Sequence, residues 1–188
     1  MNTDEFWDAI ETARARTTNN LPFNEALTNV LAHHSVADIL AYRVRFDVLH
    51  DALYRWDIWA AAYLIGGGCS DDSFIDFRAG VIAQGRAWYD RVTADPDSLA
   101  DHPEVVTAAA DSADDALFDE DVTYAPGDAY ERLTGDEDGF YDALREHEAA
   151  RPGTVKPDMG EDFDFDDEQE MRGRLPRLAA LFLGEGDW

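Results

Sequence analysis

Residues 54–78 read YRWDIWAAAYLIGGGCSDDSFIDFR, two apolar stretches on either side of three consecutive glycines. Trp56, Trp59, Ala60 and Tyr63 recur at the three- and four-residue spacing of a helix face, as do Phe74, Phe77, Val81, Trp88 and Tyr89 after the glycines. Gly66-Gly67-Gly68 stops the first helix. Ser70 is the natural cap of the second, with Asp71 and Asp72 in its first turn, where the helix dipole favours negative charge. Helices over Tyr54–Ile65 and Asp71–Arg91 separated by so short a turn predict an antiparallel pair. This central helical hairpin is the expected core of an all-α fold.

The same periodicity extends outward, and period-two alternation is almost absent. Thr3 can cap a first helix that carries Phe6, Trp7 and Ile10. Asn20-Leu21-Pro22 restarts the chain ahead of a stripe of Phe23, Leu27, Val30 and Leu31. Ser35 then caps a helix bearing Ile39, Leu40, Val44, Val48 and Leu49, with a break expected between His50 and Tyr54. Downstream, Pro103 opens a helix through Val105 and Val106 toward Leu117 and Phe118, and Ala125-Pro126 starts one through Tyr130 and Leu133 to Gly135. Phe140, Tyr141 and Leu144 mark another, ending before Arg151-Pro152-Gly153. Residues 151–167 read as an irregular acidic arm. Residues 168–183, with Leu175, Leu178, Ala179, Phe182 and Leu183, read as a helical segment that docks on the core. A chain of 188 residues with 45% hydrophobic content is enough for a single compact domain over 1–188. The tryptophans Trp7, Trp56, Trp59, Trp88 and Trp188 suit helical core packing.

The formal net charge is −26, and it is uneven: residues 1–94 hold 13 acidic and 8 basic side chains, residues 95–188 hold 28 and 7. A field of that sign repels phosphate backbones and anionic lipid, so neither direct nucleic-acid binding nor membrane-surface attachment is expected. Basic proteins and cations are attracted. No run of about 18 apolar residues is present, and Met1-Asn2-Thr3-Asp4-Glu5 is acidic where a signal peptide is basic. Cys69 is the sole cysteine and can form no internal disulfide. The expectation is a soluble, cytoplasmic protein.

Chemistry is concentrated around the glycine turn. A glycine-rich loop before a helix can cradle phosphate, but Asp71 and Asp72 already occupy that end, and neither the dinucleotide fingerprint nor the phosphate-loop lysine is present. Asp72 and Asp76, four residues apart, share a helix face and suit a divalent cation or general acid–base work, whereas Asp71 points elsewhere. Arg78 cannot face Asp76 on one helix and should reach another element. Cys69 lies where the dipole lowers a thiol pKa while the carboxylates beside it raise it, and it reads as a buried inert thiol rather than a nucleophile. His33, His34, His50, His102 and His147 are scattered. Asp162, Asp164 and Asp166 fit alternate positions of a calcium loop, but Asp167 and Gly173 stand where that loop needs Gly and Glu. No residue pattern specifies a cofactor, and no catalytic motif is recognisable.

Several blocks together resemble the bacterial family DUF4240. They are Phe6-Trp7, the stretch Trp56 to Arg78, Gln84-Gly85-Arg86, Asp95-Pro96-Asp97-Ser98-Leu99 and Pro176-Arg177-Leu178, while the acidic stretches between residues 111 and 167 look like this member's own decoration. The resemblance implies a bacterial, helical, cytosolic domain. It brings no assigned activity and no catalytic residues. The leading expectation is therefore a non-catalytic binding or regulatory module that meets a protein or small-molecule partner through the surface around the Gly66–Asp76 turn. Cys69, Ser70, Asp71, Asp72, Asp76, Arg78 and Arg86 are its candidate residues. A metal-assisted hydrolase using Asp72 and Asp76 is the second reading, and an acidic mimic of nucleic acid that inhibits a basic protein is the third.

Overall fold

A computed structural model describes residues 1–149 and 158–184. Among the described residues every regular element is helical, so the protein is all-α, with one isolated bridge between Thr18 and Leu21. The α-helices are α1 (Thr3–Arg16), α2 (Phe23–Leu31), α3 (Val36–Ala52), α4 (Trp56–Ile65), α5 (Asp71–Ala83) and α6 (Arg86–Ala94), followed by α7 (Pro103–Asp111), α8 (Ala125–Thr134), α9 (Phe140–Glu148), α10 (Glu168–Arg174) and α11 (Pro176–Phe182). Short 3-10 turns cover Pro96–Asp101 and Glu120–Thr123. No helix among the described residues is long and apolar enough to cross a membrane. Two compact units are distinguished: Met1–Asp51 with Glu120–Lys156, and Ala52–Asp119 with Pro157–Trp188.

In the first unit α1 lies against α2, and α2 against α8. Phe6, Trp7 and Ile10 are buried as their spacing predicts. The cap of α1 is Asn2 rather than Thr3: its side chain accepts the Glu5 N–H at 2.9 Å and the Glu5 carboxylate accepts the Asn2 N–H at 2.7 Å, a reciprocal capping box. Asn2 wins because the box needs a glutamate three residues on, and Glu5 stands there. Ser35 caps α3 as expected, accepting the Asp38 N–H. The buried face of α3 differs from the expected stripe. Tyr42 and Phe46 are buried and Val48 is 43% exposed. The Tyr42 ring stacks on Phe6 at 4.7 Å, and complete burial raises its phenol pKa. In α8, Gly135 takes the left-handed C-cap conformation at φ +73, and Arg132 reaches across to Glu25 and Asn29 of α2.

In the second unit α4 is the central rod. Ile58, Trp59, Ala60, Ala61, Ala62, Leu64 and Ile65 are all buried, so it is covered on nearly every side, by α5, α7, α11 and the Pro96–Asp101 turn. The break before α4 falls at Leu53–Arg55, overlapping the end of the expected interval and running one residue past it. Three boundaries differ from the sequence expectation. The helix from Asp71 stops at Ala83 rather than running to Arg91, because Gly85 adopts φ +85 and α6 starts anew at Arg86. The helix opened by Pro103 ends at Asp111, where Ser112 turns left-handed at φ +55, so Leu117 and Phe118 lie in the following loop. The C-terminal segment is two helices, since Leu175 leaves helical geometry and Pro176 begins α11. Arg151-Pro152-Gly153 and the rest of 150–157 lie outside the described residues, as does Trp188. The remainder of the arm, 158–167, contains no helix or strand.

Candidate functional site

The corner between α4 and α5 is built from glycine outward. Gly67 and Gly68 hold φ +59 and +133, which side-chain-bearing residues rarely adopt, and a Cβ on Gly66 would come within 2.7 Å of the Gly68 carbonyl oxygen. Gly66 closes α4 by donating its N–H to the Ala62 carbonyl, and Ser70 opens α5 by accepting the Ser73 N–H at 3.2 Å. A cap of this kind contributes about 1 kcal/mol.

Beneath the turn, Trp59 stacks on Phe74 at 4.7 Å between ring centroids, with 12° between planes, so α4 and α5 meet at this end as the hairpin reading requires. The Trp59 indole N–H donates to the Cys69 carbonyl at 3.0 Å and so ties the turn to the ring stack. Trp56 also stacks on Trp59 at 5.5 Å, and Tyr54 lies 5.9 Å from Phe74. Arg78 completes this layer. It is only 5% exposed, its guanidinium sits 4.8 Å from the Tyr54 ring and 4.9 Å from Phe74, and its Nε donates to the Phe74 carbonyl at 3.2 Å. A desolvated cation over aromatic faces stabilises by about 2 kcal/mol, so Arg78 works within the packing. Through Tyr54 it reaches beyond its own helix.

The remaining candidates separate by exposure. Ser70, Asp71 and Asp72 are exposed at the edge of the corner, Cys69 and Asp76 are half-buried behind them, and Ile75 is an apolar side chain 42% exposed on the same helix. The Asp76 carbonyl accepts the Asp119 N–H at 3.2 Å, so the loop after α7 runs alongside α5. Arg86 lies on α6, exposed, with Asp90 3.7 Å away. Cys69, Asp71, Asp76 and Arg78 are thus brought together, and Arg86 belongs to a separate helix. Among the described residues no group of three or more His, Cys, Asp or Glu side chains could hold a metal ion.

Cys69 is half-buried rather than buried as expected, and its surroundings favour the protonated thiol. Burial pushes its pKa from 9.0 to about 11, against smaller lowering by the Trp59 side chain and the Arg78 charge, and Asp76 and Asp71 add to the rise. The thiolate is the reactive form. Alkylation of Cys69 by iodoacetamide is therefore expected to quicken by about tenfold per pH unit from pH 8 to beyond pH 9, where an ordinary thiol levels off. A rate that plateaus by pH 8, followed by mass spectrometry, would show an activated thiol instead. By the same shift the folded state favours the protonated thiol, so this contribution to stability is complete below pH 9.0 and declines as pH rises toward about 11.

Sequence reasoning missed the partners that the arm supplies. Phe165 lies 6.0 Å from Trp56 and 5.5 Å from Tyr63, and Asp166 accepts the Tyr63 hydroxyl. The alternation of Phe with Asp over 162–166 was the available signal, since it offers an apolar side chain on every second residue.

A family model described as "Protein of unknown function (DUF4240)" matches residues 1–132. The match takes in the whole corner and residues 111–132 of the acidic stretch, while Pro176-Arg177-Leu178 lies beyond it. No curated protein and no solved structure matches the chain.

Proposed function

The chain belongs to the DUF4240 family, described as of unknown function, and on that premise we propose that it is an intracellular, non-catalytic binding module that captures a protein partner at the α4–α5 corner. One observation carries the reading: Ser70 and, at the start of α5, Asp71, Asp72 and Ile75 are all exposed beside the buried stack of Trp59, Phe74 and Arg78. A preorganised edge loses little conformational entropy on binding. Two carboxylates beside a half-exposed isoleucine suit a segment with a lysine or arginine next to an apolar side chain, and the net charge of −26 attracts such a segment from a distance.

The seven residues named from sequence divide accordingly. Ser70, Asp71 and Asp72 contact the partner, Asp76 and Cys69 support the edge, Arg78 holds the stack, and Arg86 is not needed. The metal-assisted reading gains no favouring observation, because Asp72 and Asp76 are joined by no third ligand among the described residues. Mimicry of a nucleic acid rests on the charge alone.

The test is affinity capture with wild-type protein and S70A/D71A/D72A side by side. A basic protein retained by the wild type is expected to be lost with the triple variant, at unchanged helical circular dichroism. Equal retention by both proteins would overturn the proposal.

A further inference from the structure

Residues 158–167 meet α4 as an irregular segment that turns at Phe165-Asp166. The Met159 carbonyl accepts the Trp56 N–H at 3.0 Å, so the backbone of the segment meets the open end of the helix. The Phe165 ring sits 6.0 Å from Trp56, 6.4 Å from Trp59 and 5.5 Å from Tyr63, and the next residue, Asp166, accepts the Tyr63 hydroxyl at 2.5 Å. Phe163 packs edge-on against Phe165 at 5.2 Å, and the Arg174 guanidinium lies 4.1 Å from its ring centroid while also pairing with Glu161 at 3.2 Å. Phe163 and Phe165 are half-buried, whereas Asp162, Asp164, Asp166 and Asp167 are exposed. A main-chain hydrogen bond with slots for alternate side chains is the way grooves read short peptides.

The seat of this segment is shallow. No residue of 158–167 is buried, whereas Leu178 and Ala179 of α11 are wholly buried. Charge works against it too, since Glu161, Asp162, Asp164, Asp166 and Asp167 lie on a chain whose remaining residues are themselves strongly acidic, within a net charge of −26, and Arg174 answers only part of that. Segments with few buried contacts open at a fraction of the free energy of global unfolding. Opening here uncovers Trp56, Trp59 and Tyr63.

We propose that Trp56, Trp59, Tyr63 and Arg174 form a peptide-docking groove for acidic, phenylalanine-bearing sequence, occupied in cis by residues 158–167 as an autoinhibitory strap. Ring packing closes the strap and charge repulsion opens it. The groove shares Trp59 with the stack beneath the Ser70–Ile75 edge but presents different side chains, and the inference does not depend on what that edge binds. The two also differ in sign: a basic partner at the edge binds more weakly as salt rises, whereas an acidic segment in the groove binds more tightly.

The probe is a fluorescently labelled peptide with the sequence of residues 158–168, titrated into full-length protein and followed by anisotropy. The closed strap reduces apparent affinity by the fraction of molecules open, so F163A/F165A is expected to bind the peptide about tenfold or more tightly than wild type does. Raising salt from about 20 to about 300 mM should tighten binding further, and W56A added to F163A/F165A should abolish it. Equal affinity for wild type and F163A/F165A, no binding by either, or binding that weakens with salt would overturn the proposal. Hydrogen exchange on the wild-type chain supplies a readout free of substitutions. Amides of 159–167 are expected to exchange separately from those of α11, and exchange of both in one cooperative step would contradict a releasable strap.

Discussion

Asp97→Ala is expected to destabilise the unit containing α4 by about 3 kcal/mol, because the cap of α11 is lost and its two N–H groups, one buried and one part-buried, are left without an acceptor. Asp97 is 5% exposed, and its carboxylate accepts the Leu178 N–H at 2.9 Å and the Arg177 N–H at 3.1 Å. Those are the unpaired donors at the start of α11, so a residue 80 positions earlier caps that helix. Its negative charge also faces the positive end of the helix dipole. The turn that presents it is prepared locally: Pro96 begins the 3-10 helix, and the Asp95 side chain accepts the Asp97 N–H at 3.1 Å. The surface pair of Arg177 with Asp101 adds little beside this, since both side chains are 47% exposed. Urea unfolding followed by circular dichroism checks the effect. Asp97→Asn keeps one acceptor and should lose clearly less; a loss under about 1 kcal/mol for the alanine variant would show that α11 is held by its apolar face alone.

Gly80→Ala is the second large effect, and intrinsic propensity points the wrong way. Alanine in mid-helix is favoured over glycine by about 1 kcal/mol. At Gly80, however, an added Cβ would fall 1.8 Å from the Leu117 carbonyl oxygen and 2.7 Å from the Leu117 carbonyl carbon. Both are backbone atoms. Leu117 is itself held at φ +68, so its loop has little freedom to retreat without losing the Phe77–Phe118 contact at 5.3 Å. Overpacking against backbone should outweigh the propensity gain and leave a net loss of about 2–3 kcal/mol, a fall in melting temperature of roughly 6–10 °C. An unchanged or raised melting temperature would mean that the 113–119 loop does not pack on α5.

Local chemistry was readable in the sequence. Helical spacing gave the all-α class, the triple glycine and Ser70 gave the corner, and Pro103 and Gly135 marked a start and a stop that the structure keeps. What escaped was tertiary or depended on a single backbone angle. Nothing in Gln84-Gly85-Arg86 interrupts the apolar spacing from Phe77 to Tyr89, yet the positive φ of Gly85 ends the helix. Ser112 ends α7 in a conformation usually given to glycine. The family-like blocks at Asp95–Leu99 and Pro176–Leu178 are visible in sequence, but only the fold shows that one caps the other. At the corner, charged residues invited a common role. Burial separates them: Arg78 lies inside the ring stack while Asp71 and Asp72 remain at the edge.

That separation is the central claim, and a charge-only substitution tests it most directly. D71N/D72N leaves the size of both side chains and the Ser70 cap in place while removing two negative charges from the exposed edge. The dissociation constant of the captured partner should rise by about tenfold at physiological salt, and the difference from wild type should shrink as salt screens the edge. An unchanged constant across salt concentrations would contradict the claim that this edge is what the protein presents for binding.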